Sequence, residues 1–369
     1  MTPAAAQPQA SVTYYPAATG SEGSLSNPSG LDVDTGLNIA FIANQNASGT
    51  LSILDVTTNT ELPGSPVSIG PYPHGVAADS VAHVVYVANT GKSNIGSPTG
   101  HKSGKGGVVQ NTVSMVGQQQ SSDAANPTWI LLATLTAGSQ PHGVAVGRNM
   151  GGDAASYLFV ANQADNSVSI FDCSKAPEAP VEIAGSPISL ISESCANPNP
   201  HGIGADPKLN QVYVACRNPG ESNGYVAVLK GANNWAPTFI AVGNSPTGIG
   251  VNSATGYAFV SNNADNTVSA VDGANLTVAA TIASASFNGP DRFAVDEANN
   301  VIYVSNNTSN TISAIFADQN NSVESAAVAG SPQQSVSAPT EMAYLNGTLY
   351  AALQVTNQVA EVPSPGAFN

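Results

Sequence analysis

Three of the chain's five histidines occur in one context, between a proline and a glycine: "PYPHGVAAD" around His74, "SQPHGVAVG" around His142 and "PNPHGIGAD" around His201. Three neutral imidazoles brought together could hold Zn²⁺, Cu²⁺, Mn²⁺ or Ni²⁺ with bonds of about 2 Å and one position left for water. A water bound in that way loses a proton near neutral pH and can attack or polarise a carbonyl. The same residues could work without a metal, one imidazole taking a proton while a cation holds a carboxylate or enolate. A third reading is plain repetition, Pro-His-Gly being a variant of Pro-Thr-Gly in which each histidine bonds to its neighbouring repeat. All three require that residues far apart in sequence be carried to one place.

The repeats supply the means. Units begin at "PSGLDVDTGLNIAFIAN" (28), "PHGVAADSVAHVVYVAN" (73), "PHGVAVG" (141), "PHGIGADPKLNQVYVAC" (200), "PTGIGVNSATGYAFVSN" (246), "PDRFAVDEANNVIYVSN" (290) and "PTEMAYLNGTLYAALQ" (339). Each continues into a third alternating segment such as "NSVSIFD" or "NTVSAVD", and most into a fourth such as "TVAATIA". Four short strands in roughly 45 residues mark one blade of a β-propeller. The seventh unit ends about one strand short, and "SVTYYPA" at 11–17 is a strand with no unit of its own. The expected fold is therefore all-β: a single seven-bladed propeller over 11–363, closed by that N-terminal strand in the last blade. Residues 1–10 read as a flexible N-terminus and 364–369 as a tail.

Adjacent antiparallel strands place the start of the innermost strand and the end of the second at the same mouth of the ring. The position after the proline is Ser29, His74, His142, His201, Thr247, Asp291 and Thr340 in successive blades; the next is glycine in five blades, then Arg292 and Glu341. In a chain with few charges this mouth is the expected site. His74, His142 and His201 would bind the metal or divide acid and base roles. Arg292 would orient a substrate oxygen, and Asp291 or Glu341 would tune a histidine or take a proton. A second ring at the ends of the second strands contains Asn44, Asn89, Asn162, Arg217, Asn262, Asn306 and Gln354. Of these Arg217, Asn89, Asn162, Asn262 and Asn306, with Thr247 and Thr340, are candidate ligand contacts, although asparagine at a strand end also serves simply to bond a turn.

Two long connections belong to the same mouth: "TGKSNIGSPTGHKSGKGGVVQ" in blade 2, with His101, Lys102 and Lys105, and "ISESCANPNP" before blade 4. The first could bring cations over an anionic substrate, or be a solvated loop. His83 belongs to the opposite mouth. Of the cysteines, Cys195 and Cys216 share the histidine mouth and are expected to form a disulfide in an oxidising compartment, with Cys173 a buried thiol.

The units resemble the YVTN-repeat family of β-propellers, whose tetrapeptide stands here as "YVAN", "FVAN", "FVSN" and "YVSN". The resemblance spans residues 28 to 362. It implies the propeller fold, and its functional range includes lactonases, lactonising cyclases, antibiotic-inactivating lyases, surface-layer proteins and the propeller half of copper nitrous oxide reductases. Lactone hydrolysis and elimination enter the reading from that resemblance alone.

Composition narrows the partners. With 9 Lys+Arg against 24 Asp+Glu the formal net charge is -15, which repels phosphate backbones. No apolar run reaches the roughly 18 to 20 residues of a membrane-spanning helix. Signatures of nucleotide binding are missing, so no nucleotide cofactor is expected. The opening "MTPAAAQPQAS" resembles the start of a mature exported chain, giving a secreted or periplasmic expectation. The expected function is an extracytoplasmic enzyme acting on a small anionic or lactone-type substrate by hydrolysis or elimination, with a histidine-bound divalent metal. The alternative is a non-catalytic propeller that binds a peptide or glycan across the same mouth.

Overall fold

Runs of five to seven alternating or wholly apolar residues, bounded by Asn, Asp and Gly, form strands and turns because neither flank can continue a ladder. Asn166, Asn266 and Asn310, at φ of 52°, 54° and 57°, occupy the tight turns between second and third strands, a conformation asparagine tolerates better than most residues. The computed structural model describes residues 13–15, 25–91, 109–119, 127–150, 155–317, 323–325 and 339–363. Its strands make seven antiparallel sheets arranged in a ring, a β-propeller.

The innermost strands are Pro28–Asp34, Pro73–Asp79, Pro141–Gly147, Pro200–Asp206, Pro246–Asn252, Pro290–Asp296 and Pro339–Leu345. Each starts at the proline of its repeat, where a missing N–H costs no ladder bond. Directly after that proline every inner strand slips register against the second, as between Pro73 and Val76 or Pro141 and Val144. Such a bulge re-aims the side chain it carries. It falls at the residue after the proline, histidine in blades 2 to 4.

In blades 1 and 3 the fourth strand is split into two short pieces, both paired with the third strand. In blade 7 the fourth strand is Thr13–Tyr15, antiparallel to Gln358–Pro363 with Thr13 opposite Glu361 and Tyr15 opposite Val359. The chain's two ends thus share one sheet and leave no open edge in the ring.

Most of the core lies between blades. Phe159, Val168 and Ile170 of blade 3 pack with Val212, Val214 and Leu229 of blade 4, and Leu31 and Ile42 of blade 1 with Tyr350 and Val359 of blade 7. Near the axis the packing becomes backbone on backbone. A Cβ added at Gly75 would lie 2.3 Å from the carbonyl oxygen of His142, and one at Gly143 2.4 Å from that of His201. Gly30, Gly202 and Gly248 meet the next blade in the same way. Gly143→Ala is therefore expected to cost about 2–3 kcal/mol through forced backbone displacement. Denaturant unfolding would read this as a lower midpoint with an unchanged slope, and an unchanged midpoint would show that the blades can part there at no cost.

Candidate functional site

The bulges carry the three histidines into one stack. The ring centroids of His74 and His142 are 3.8 Å apart and those of His142 and His201 3.9 Å, each pair tilted by 37°. His74 and His201 are 6.4 Å apart, so His142 is the middle ring. In three of the other blades the residue after the proline uses its hydroxyl on a backbone carbonyl of the next blade. Ser29 Oγ donates to Pro73 O at 3.0 Å and Thr340 Oγ1 to Pro28 O at 3.3 Å. Thr247 Oγ1 lies 3.5 Å from Asp291 O and 2.9 Å from Ser261 Oγ. Thr247 and Thr340 thus bind blade to blade.

His201 keeps a bond of this kind, its Nδ1–H donating to Thr247 O at 3.1 Å. That fixes the tautomer and leaves Nε2 as an acceptor. Nδ1 of His74 and of His142 are buried with no hydrogen-bond partner among the described residues. All three imidazoles are held neutral. Burial pushes His74 down to about 3, with the Arg292 charge adding to it. Burial, the other two histidines, Arg292 and Arg217 push His142 far below the ordinary value. Burial, Arg292, Arg217 and His74 do the same to His201, against the Thr247 carbonyl.

Opposite the stack are the two residues that break the glycine series. Arg292 is 6% exposed. Its Nε is 3.5 Å from Glu341 Oε2 and 3.8 Å from Asp291 Oδ1, ion pairs too long to be hydrogen bonds. The same Nε is buried without a hydrogen-bond partner among the described residues. Asp291 also accepts a bond from Asn307 Nδ2 at 3.2 Å. Burial pushes Glu341 up to about 7 despite the Arg292 charge, and the nearby Asp291 and Asp32 carboxylates add to the rise.

Because Arg292 and Glu341 replace glycine, the close backbone contact of the other blades cannot recur there. A cavity of about 50 Å³ lies against them, with His74 completing its polar wall. Val76, Val144, Ile203 and Ile249, from four successive blades, give it an apolar side.

The structure thus brings His74, His142, His201, Asp291, Arg292 and Glu341 to one region. Arg217 belongs with them electrostatically: burial lowers its pKa, Asp291 raises it and Arg292 lowers it again. The asparagines of the second ring are placed otherwise. Asn89, Asn162, Asn262 and Asn306 are completely buried, and their amides bond the third strand of their own blade. Asn162 Nδ2 donates to Ser167 Oγ and Ser169 Oγ at 3.1 and 3.0 Å, and Asn89 Nδ2 to Thr112 Oγ1 and Ser114 Oγ at 3.0 Å each. Asn262 and Asn306 repeat the pattern on Ser269 and Ser313, both at 2.9 Å. A repeated "NTVS" or "NSVS" was its signal in the sequence.

The expected Cys195–Cys216 disulfide is corrected: both residues are free, as is Cys173. Cys195 and Cys216 share the apolar cluster between blades 3 and 4, and burial pushes the Cys195 thiol up to about 11 and Cys216 higher still. Such thiols pack as small apolar groups. His83, at the far mouth, bonds Asp34 at 2.8 Å through Nδ1. His101, Lys102 and Lys105 lie outside the described residues.

One residue escaped the sequence reading. Asp32 occupies an inner-strand position that is Ala77, Ala145, Gly204, Gly250, Ala294 and Ala343 in the other blades, always opposite an aromatic residue. Its Oδ2 accepts a bond from Ala78 N at 2.8 Å, tying blade 1 to blade 2. Burial raises its pKa to about 6. The break in a column of small residues was its only sequence mark.

No family model matches this sequence, and neither does any curated protein. Solved structures do. Kuenenia stuttgartiensis hydrazine synthase aligns with a TM-score of 0.68 at 14% identity, over 94% of this chain and 98% of that one. U3-55K aligns with a TM-score of 0.65 at 12% identity, over 97% and 100%. A candidate 6-phosphogluconolactonase from Bacteroides uniformis aligns with a TM-score of 0.59 at 16% identity, over 83% and 85%. The chain shares their fold. At these identities the likeness extends no further, and propellers of this shape serve unrelated functions. Among the described residues no helix is long and apolar enough to cross a membrane.

Proposed function

We propose that the chain is an enzyme acting on a small anionic or lactone-type substrate at the histidine mouth, by hydrolysis or elimination. The observation that carries this reading is Arg292, a buried guanidinium beside a cavity, ion-paired with Glu341 and Asp291 at 3.5 and 3.8 Å but with no hydrogen bond to its Nε among the described residues. A cation held in that state is prepared for an oxyanion, because the surrounding structure has already borne its desolvation. Glu341, titrating near 7, suits the exchange of a proton at neutral pH. The neutral imidazoles would accept or donate hydrogen bonds, with His201 Nε2 fixed as an acceptor.

A metal-assisted version of this chemistry stands as a separate proposal. As placed, the imidazoles stack ring on ring, and among the described residues no three of His, Cys, Asp and Glu are grouped to hold a metal ion.

The test is a panel of unsubstituted four- and five-membered lactones and their open-chain hydroxy acids, followed by proton release or uptake. Glu341→Gln is expected to lower kcat by roughly 10²–10³ with little change in KM. Turnover that persists after chelation supports the metal-free version, whereas loss on chelation and return with Zn²⁺ or Mn²⁺ supports the other. Binding of panel members with no turnover would move the reading to a non-catalytic propeller.

A further inference from the structure

We propose that the cavity beneath the histidine stack is a seat for the carboxylate of a short-chain aliphatic monoacid, with the carboxylate on Arg292 and the alkyl chain against Val76, Val144, Ile203 and Ile249. The proposal rests on the functional reading above and narrows its substrate class. Three features select that ligand.

The first is size. A cavity of about 50 Å³, at roughly 10–15 Å³ for each water-sized occupant, admits a carboxylate and a few carbons. An aromatic ring or a sugar does not fit.

The second is charge. Arg292 is the one cationic side chain of the lining, and Glu341 shares the wall with it, with Asp291 3.8 Å from the guanidinium and Asp32 acting on Glu341 from blade 1. With Arg217 as the second cation of the region and these carboxyl groups around the guanidinium, each further negative charge on a ligand is opposed, and a phosphate or sulfate dianion is opposed more strongly than a monoanion. Arg292 also presents a planar donor set, which matches a carboxylate in two parallel bonds. Its neighbours meet it only at 3.5 and 3.8 Å, and a bound carboxylate would supply the hydrogen bonds that these contacts lack.

The third is the opposite wall. Val76, Val144, Ile203 and Ile249 occupy one equivalent position in blades 2 to 5 and are the aliphatic residues of the cavity wall. A purely inorganic anion would leave that surface in contact with water. An alkyl chain of two or three carbons covers it.

The full-length chain should be titrated with formate, propionate, butyrate, phosphate, sulfate and benzoate while thermal unfolding and heat of binding are followed at constant ionic strength. Propionate and butyrate are expected to raise the unfolding temperature and to bind at least tenfold more tightly than formate, with no response to the dianions or benzoate. Arg292→Met should weaken propionate binding at least tenfold. Ile203→Phe, which fills the apolar side and keeps the cation, should abolish discrimination between propionate and formate. Should either variant fold poorly, electron density for 3-bromopropionate in crystals of the native chain decides the matter. Phosphate binding as tightly as propionate, or bromine density anywhere but this cavity, overturns the proposal. Propionate binding without turnover of any panel lactone would leave the seat standing and remove the enzyme reading. Turnover that propionate neither inhibits nor accompanies with binding would do the reverse.

Discussion

Arg292→Met is expected to lower kcat/KM on an anionic substrate at least a hundredfold while leaving the folded chain as stable as before, or more so. The two halves of this outcome have one cause. Arg292 is 6% exposed, and its nearest acidic oxygens, at 3.5 and 3.8 Å, lie outside hydrogen-bond range. Holding a desolvated charge in that condition costs stability, and removing one partner of a buried pair is costly only where it leaves the other partner charged and uncompensated. Glu341 can neutralise instead, because burial has already pushed it up to about 7 and removal of the guanidinium pushes it further. Losing the donor that meets the oxyanion, in contrast, removes about 2.7–4 kcal/mol of transition-state stabilisation. Arg292→Lys should fall between the two, keeping a cation but not the planar fork. Urea unfolding beside steady-state kinetics separates this from a structural role, in which activity and stability would decline together.

The same residue shows how far sequence reasoning reaches. The seven inner strands were legible because proline and the bulge after it answer a local backbone requirement that repeats in every blade, with glycine following in five of them. Radial convergence of His74, His142 and His201 followed from that regularity. Their stacking did not, since the angle of an imidazole about its own bonds depends on the cavity behind it. The asparagine ring left ligand contact and local bonding both open for a related reason: a strand-end amide can face the channel or turn back on its own blade, and the choice is made by the hydroxyls of the third strand, Ser167 and Ser169 for Asn162. Cys195 and Cys216 came to the same cluster, but nearness between strands does not specify the geometry a disulfide needs.

Asp32 marks the other limit. Its position is Ala or Gly in six blades because neighbouring sheets close on it, and at Gly250 a Cβ would lie 2.6 Å from that of Phe293. A carboxylate there is tolerated since Val33 N and Ala78 N both donate to it at 2.8 Å. Only the three-dimensional environment shows that this carboxylate then acts on Glu341 across a blade boundary.

Stability should rise with pH up to about 7 and then level off, and the histidine stack should set that acid arm. Each of the three imidazoles has a folded-state pKa far below its ordinary 6.5. As pH falls below that value the unfolded chain takes up protons that the folded chain refuses, and stability is lost at about 1.4 kcal/mol per pH unit for each group. Glu341 and Asp32 act in the opposite sense. Their folded values, about 7 and about 6, lie above the ordinary 4.5 and 3.8, so the folded chain holds their protons more tightly. Their contribution is complete at low pH and lost as pH rises through about 6 and 7. Between pH 5 and 6 three histidines oppose two carboxyl groups, and the net of one proton favours unfolding as the solution becomes more acid. Between 6.5 and 7 the unfolded histidines still take up about 1.5 to 0.7 protons together against about 0.8 to 0.5 on folded Glu341, so the two arms come close to cancelling and the curve flattens above about pH 7. Replacing His74, His142 and His201 together by glutamine removes the acid arm and leaves the carboxyl groups. Denaturant unfolding of that variant at pH 5, 6, 7 and 8 should show stability rising steadily toward pH 5, while the native chain gains stability from pH 5 to about 7 and then levels off. Parallel curves for the two proteins would mean that the imidazoles take up protons in the folded state, and so are neither as enclosed nor as neutral as the stack requires.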